Sequence, residues 1–192
     1  MQVDVLSDKQ LIGRYLAGDE TALEQLIERH KEKVYTSIVF MVKDASLAED
    51  IFQDTFIKVI DTLRGGKYKE EGKFLPWVMR IAYNLCIDHF RRLKRKPTVT
   101  NTEGFDIFGV LDFAENTAED DLVMNQTRRK VRSLIDQLPP EQKEVVILRH
   151  YAELSFKEIA ALTDVSINTA LGRMRYALIN MRKLIAEKNI AL

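Results

Sequence analysis

Apolar positions recur along this chain at the three- and four-residue steps of amphipathic helices, separated by short polar stretches with glycine or proline. Ser7 with Gln10 three residues later is a capping-box pattern, predicting a short helix to about Ala17, before Gly18. Asp19 can cap a second helix striped by Leu23, Leu26, Ile27, Val34, Ile38 and Met41. Ser46 with Glu49 repeats the capping-box pattern and predicts a third helix, SLAEDIFQDTFIKVIDTL. Its inward positions are Leu47, Ile51, Phe52, Phe56, Val59, Ile60 and Leu63. Its outer face carries Glu49, Asp50, Gln53 and Asp54, acids that the dipole of a helix N-terminus favours. A glycine-rich charged loop follows over residues 64–73, in which Tyr68 can either stack on a ligand or tether the loop.

The longest periodic stretch is FLPWVMRIAYNLCIDHFRRLKRK, residues 74–96. Pro76 suits a first turn and Pro97 ends the pattern. Val78, Ile81, Ala82, Leu85, Cys86 and Leu93 form the expected buried side. Arg80, Asn84, Asp88, Arg91, Arg92 and Arg95 recur on another side, which ends in a run with five cations in six residues. A helix laid on nucleic acid fits this face, with cations on phosphates and the amide and carboxylate on base edges. So does a surface helix whose basic end complements its dipole.

Beyond Pro97 the periodicity lapses. A second set of helices begins near Thr117 or Glu119, with the stripe Leu122, Val123, Val131, Leu134, Ile135 and Leu138. Pro139 and Pro140 stop that helix and start PEQKEVVILRHYAEL. Ser155 with Glu158 is a third capping box and opens FKEIAALT. A tight turn at Asp164 and Val165 leads to Ser166, which caps a last long helix. Ala160, Leu162 and Val165 are small or apolar where those two helices must cross. A short capped helix, a turn and a longer helix make a helix-turn-helix, whose second helix enters the major groove in DNA-binding proteins. Ser166, Asn168, Thr169 and Arg173 lie on the exposed start of that helix, and Arg175, Arg182 and Lys183 can reach phosphates. A plain helical hairpin would share the pattern.

The predicted fold is all-α: two small helical domains joined by a flexible acidic linker, the second containing the helix-turn-helix. The expected domains are 1–96 and 119–192, with the linker at 97–118. Apolar residues in that linker, Phe105, Ile107, Phe108, Val110, Leu111 and Phe113, suit a segment that docks. Charge supports the division. The chain has 29 cations and 29 acids. Residues 97–127 carry seven acids and no Lys or Arg, whereas residues 128–192 hold 12 Lys and Arg against 7 Asp and Glu. An acidic stretch between two basic ones suits DNA binding that is weak alone and enabled by a partner. The single cysteine, Cys86, excludes a disulfide framework and points to a reducing compartment, and no apolar stretch is long enough to span a bilayer, so the expected localisation is cytoplasmic. His30, His89 and His150 are far apart, no metal-ligand or nucleophile–base spacing occurs, and neither an enzyme nor a cofactor is expected.

Three segments in order resemble a known family. AEDIFQDTFIKVI fits the form D-x-x-Q-[ED]-x-F, residues 74–96 resemble a promoter-melting helix, and LPPEQKEVVILRHYAELSFKEIAALTDVSINTALGRMRYAL resembles a promoter-reading helix-turn-helix. Together they resemble the sigma factors of bacterial RNA polymerase, sigma-70 family, extracytoplasmic-function group. That resemblance implies a dissociable sigma subunit that binds core RNA polymerase, recognises promoter DNA and helps melt it. It implies core-polymerase binding by Asp50, Gln53 and Asp54. It assigns the minus-ten element to Tyr68, Lys73, Trp77, Arg80, Asn84, Asp88, Arg91, Arg92 and Arg95, with a flipped base captured by the loop around residues 68–73. It assigns the minus-thirty-five element to Ser166, Asn168, Thr169, Arg173 and Arg175, and implies an anti-sigma protein as a further partner. Leu171 departs from the family, which commonly has a basic residue there, so the alternative is that Leu171 packs. The rival to the whole reading is an autonomous helix-turn-helix regulator.

Overall fold

The computed structural model describes residues 6–69, 71–95 and 130–188. Within these, all regular structure is helical. The expected linker, 97–118, and the apolar positions Leu122 and Val123 lie outside the described residues. The chain divides into two units, Met1–Glu103 and Gly104–Leu192.

In the first unit, α1 is Asp8–Leu16, α2 Glu20–Val42, α3 Ala45–Arg64 and α4 Phe74–Arg95. Each start has a local cause. The Ser7 hydroxyl accepts from the Gln10 N–H, and the Gln10 side chain accepts from the Ser7 N–H at 2.8 Å. Asp19 accepts from the Thr21 N–H at 3.1 Å and the Thr21 hydroxyl at 2.6 Å. The Thr21 hydroxyl, with Arg14 beside it, holds the Asp19 carboxyl below its usual range. The third helix differs from expectation. Its cap is Asp44, whose carboxylate accepts from the Leu47 N–H at 2.9 Å, so Ser46 lies inside the first turn. Lys43 ends α2 in the left-handed region at φ 56°, which leaves Asp44 as the next available acceptor, and an ionised cap is favoured at a helix N-terminus.

Helix α2 packs against α1, α3 and α4, and α3 packs against α4. Leu11, Leu26, Val34, Ile38, Val59, Leu63, Val78, Met79 and Ala82 are essentially inaccessible. Burial of this kind stabilises by about 25 cal/mol per Å² of apolar surface. On α4 the buried side stops at Cys86. Leu93, expected inside, is 49% exposed, because the helix outruns the core that covers its first turns. Polar ties also join the helices of the unit: the Arg64 Nε donates to the Tyr15 hydroxyl at 2.7 Å, Arg29 donates to Asp8 at 2.6 Å, and His30 Nε2 lies 2.9 Å from Asp8.

Cys86 is fully buried, and burial pushes its thiol from an ordinary 9.0 up to about 12. The native state therefore keeps the proton that the unfolded chain releases. Its contribution to stability is complete below pH 9 and is lost as pH rises from there towards 12. The urea midpoint of this unit is expected to fall between pH 8 and pH 10, and less steeply in Cys86→Ala. Equal slopes in the two proteins would remove the thiol from the account.

In the second unit α5 covers residues 130–136 among those described, α6 is Pro140–Val146, α7 Phe156–Thr163 and α8 Ile167–Glu187. Pro140 occupies the first position of α6. The helix expected to reach Leu154 ends sooner. It widens into a π turn at Ile147–Tyr151, and Glu153 takes φ 56°. Arg149 then donates to the Leu154 carbonyl at 2.9 Å, holding the chain as it turns into α7. Helix α7 begins with the Ser155–Glu158 capping box and ends at Asp164 in the left-handed region, φ 54°. Helix α7 packs against α8, and Ala160 on α7 and Ala170 on α8 are both buried small residues, while Ala177, further along α8, is fully buried against Ile135, Leu138 and Val146. Ser155→Ala should destabilise this unit by about 1 kcal/mol, read from chemical denaturation, because it orphans the helix N-terminus.

Candidate nucleic-acid interface

On α3, Asp50, Gln53 and Asp54 are all exposed. Four-residue and three-residue steps place Ile57 on the same face, and its side chain is 56% exposed. The sequence reading assigned Ile57 no role. Its spacing from Asp50 was the available signal, since a seven-residue step away from the apolar stripe marks a residue that the core does not claim. The result is an apolar spot bordered by two carboxylates and an amide.

The loop between α3 and α4 turns on glycines, with φ 64° at Gly66 and 70° at Gly72, conformations that side chains rarely adopt. It returns Tyr68 onto the start of α4. The Tyr68 ring lies 4.4 Å from Trp77 and 6.2 Å from Phe74, and Phe74 lies 5.5 Å from His30. Tyr68 is therefore the tether that was one of its two sequence readings. It and Trp77 are half-buried, leaving part of each ring at the surface.

Along α4, Arg80, Asn84, Asp88 and Arg91 are exposed at steps of four, four and three, so they share one face, and Arg92 is exposed beside them. Arg91 donates to Asp88 at 3.5 Å. This contact between exposed side chains orients the guanidinium more than it stabilises the helix. Lys73 is exposed just before α4, and Arg95 is its last residue, with a side chain outside the described set.

On α8 the Ser166 hydroxyl accepts from the Thr169 N–H at 3.0 Å and lies 2.8 Å from the Thr169 hydroxyl. Ser166 thus spends its side chain on the cap. Asn168 and Arg175 are exposed. Arg173 is half-buried, with Nη1 3.7 Å from Glu144 on α6, so a residue expected on the reading face is also an inter-helix tie. Leu171 is 43% exposed, so the packing alternative for it fails. Tyr176, 61% exposed, was also missed. Among the described residues no group of three His, Cys, Asp or Glu is placed to hold a metal ion, and no helix is long and apolar enough to cross a membrane.

Comparison with known proteins matches the same elements. The Sigma-70 region 2 family model matches residues 26–96, and that of Sigma-70, region 4 matches residues 128–175. The chain is 31% identical over 174 residues to RNA polymerase sigma factor CarQ of Myxococcus xanthus, covering 91% of this chain and 95% of CarQ. It is 28% identical over 185 residues to the ECF RNA polymerase sigma factor SigW of Bacillus subtilis, covering 93% and 97%. Among solved structures it is similar to the sigma factor RpoE of Bartonella quintana, solved with the anti-sigma factor NepR. That likeness has a TM-score of 0.66 at 16% identity, over 85% of this chain and 96% of RpoE.

Proposed function

This chain belongs to the sigma-70 family of RNA polymerase sigma factors, in its extracytoplasmic-function group, and on that premise we propose that it is a dissociable subunit that directs core RNA polymerase to promoters and helps melt them. The observation that carries this reading is the presence in one chain, in order, of matches to region 2 and region 4. In this reading the α3 face of Asp50, Gln53, Asp54 and Ile57 grips the polymerase. An apolar spot with a polar border is the usual anatomy of a docking surface. The exposed face of α4, with Arg80, Asn84, Asp88, Arg91, Arg92 and Arg95, follows the minus-ten element. Lys73, Tyr68 and Trp77 stand at its start, where the exposed parts of the aromatic pair can receive an unstacked base; stacking offsets the cost of a few kcal/mol for extruding it. Asn168, Thr169, Arg173 and Arg175 face the minus-thirty-five element, with Ser166 fixing the start of their helix.

The subunit makes and breaks no covalent bond of its own, needs no cofactor, and works in the cytoplasm. Formal net charge is zero. Affinity for phosphates grows with the number of unbalanced cations, so tight DNA binding belongs to the holoenzyme. An anti-sigma protein, the kind of partner solved with RpoE, would cover the exposed apolar spot when polymerase is absent.

The test is a gel shift on one fluorescent promoter fragment with the chain alone, core polymerase alone, and both. Binding and opening only in the mixture support the proposal. An equally tight shift by the chain alone would replace it with the autonomous regulator.

A further inference from the structure

Gly172 lies in the interior of α8, where glycine weakens a helix relative to alanine. A Cβ built there meets nothing within 4 Å, so packing does not call for glycine. The same is true of Gly13 in α1, so what sets Gly172 apart is the surface it lies on. Gly172 lines an open cleft of about 480 Å³ with Thr169, Arg173 and Tyr176 of α8 and Glu141 and Gln142 of α6. The cleft does not suit a phosphate: its one cation, Arg173, is paired with Glu144, and Glu141 adds a carboxylate. Thr169 and Tyr176 lie three residues before and four after Gly172, so the three share one face of α8 along the cleft, with no side chain at the middle position and Tyr176 exposed. Small apolar surfaces of this kind read the 5-methyl group of thymine in the major groove.

We propose that Gly172 is a specificity determinant, its missing side chain making room for a thymine methyl held against Tyr176. This rests on the reading that α8 docks in the major groove, and the experiment separates the two. The probe is a duplex enriched from a randomised library by the wild-type chain with core polymerase, its thymines replaced one at a time by deoxyuracil, which lacks the methyl. Wild type should lose affinity at one such position. Gly172→Ala should melt several degrees higher, bind the thymine duplex about tenfold more weakly, and regain affinity when that one thymine becomes uracil. Gly13, in the interior of α1 with nothing within 4 Å of its Cβ, supplies the comparison. Gly13→Ala should also melt higher, with no change of thymine preference. If Gly172→Ala binds every duplex as wild type does while Asn168→Ala loses binding, the inference falls and groove docking stands. If both variants bind as wild type, groove docking falls and takes the inference with it.

Discussion

Replacing Asp50, Gln53 and Asp54 together by alanine is expected to weaken binding to core polymerase more than a hundredfold while leaving the folded chain intact. All three side chains point away from the core, so their loss opens no cavity, and exposed substitutions of this kind shift stability by about 0.5 kcal/mol or less. Their weight is felt only when a partner removes the surrounding water. Truncating a hot-spot residue at the centre of an interface costs about 2 kcal/mol or more, about thirtyfold in affinity, and a triple truncation that includes one exceeds that. Ile57→Asp should have a comparable effect from the opposite chemistry, by placing a charge on the one apolar spot of the face. Pull-down or fluorescence titration with core polymerase, alongside a melting curve, checks both. Unchanged affinity in both variants would move the polymerase contact off α3.

The order of the helices was legible because their signals are local. Ser7 with Gln10 and Ser155 with Glu158 complete their hydrogen bonds within one turn, and nothing distant competes. The Ser46 pattern misled for a related reason. Asp44, two residues earlier, offers a better acceptor, and the choice depends on where α2 ends. The π turn at Ile147–Tyr151 has no local signature that the apolar spacing could reveal, since it depends on how Arg149 and Leu154 close the following turn. Leu93 continued a correct period past the end of the core. The candidate site divides in the same way. The exposed face of α4 follows from helical spacing. The pairing of Arg173 with Glu144 joins residues on different helices and could not be read from either alone. Ile57 and Gly172 were readable and were passed over, because one is defined by the stripe it avoids and the other by having no side chain.

Alanine at Arg80, Arg91 and Arg92 is expected to weaken promoter binding by the holoenzyme and flatten its salt dependence, with polymerase affinity unchanged. The three guanidiniums are exposed on α4. Each phosphate contact releases about 0.9 of a counterion from duplex DNA, or about 0.7 from a single strand, so losing three should make the slope of log affinity against log salt shallower by about 2 to 3. Asp88 sharpens the experiment. It holds Arg91 at 3.5 Å and places a negative charge on a face that must meet phosphates. If Asp88 only orients Arg91, Asp88→Ala changes affinity alike on every promoter. If it accepts from a base edge, the loss depends on the base at one position and the salt slope stays as in wild type. A triple variant with the wild-type salt slope would take α4 off the phosphates and leave its basic end as a complement to the helix dipole.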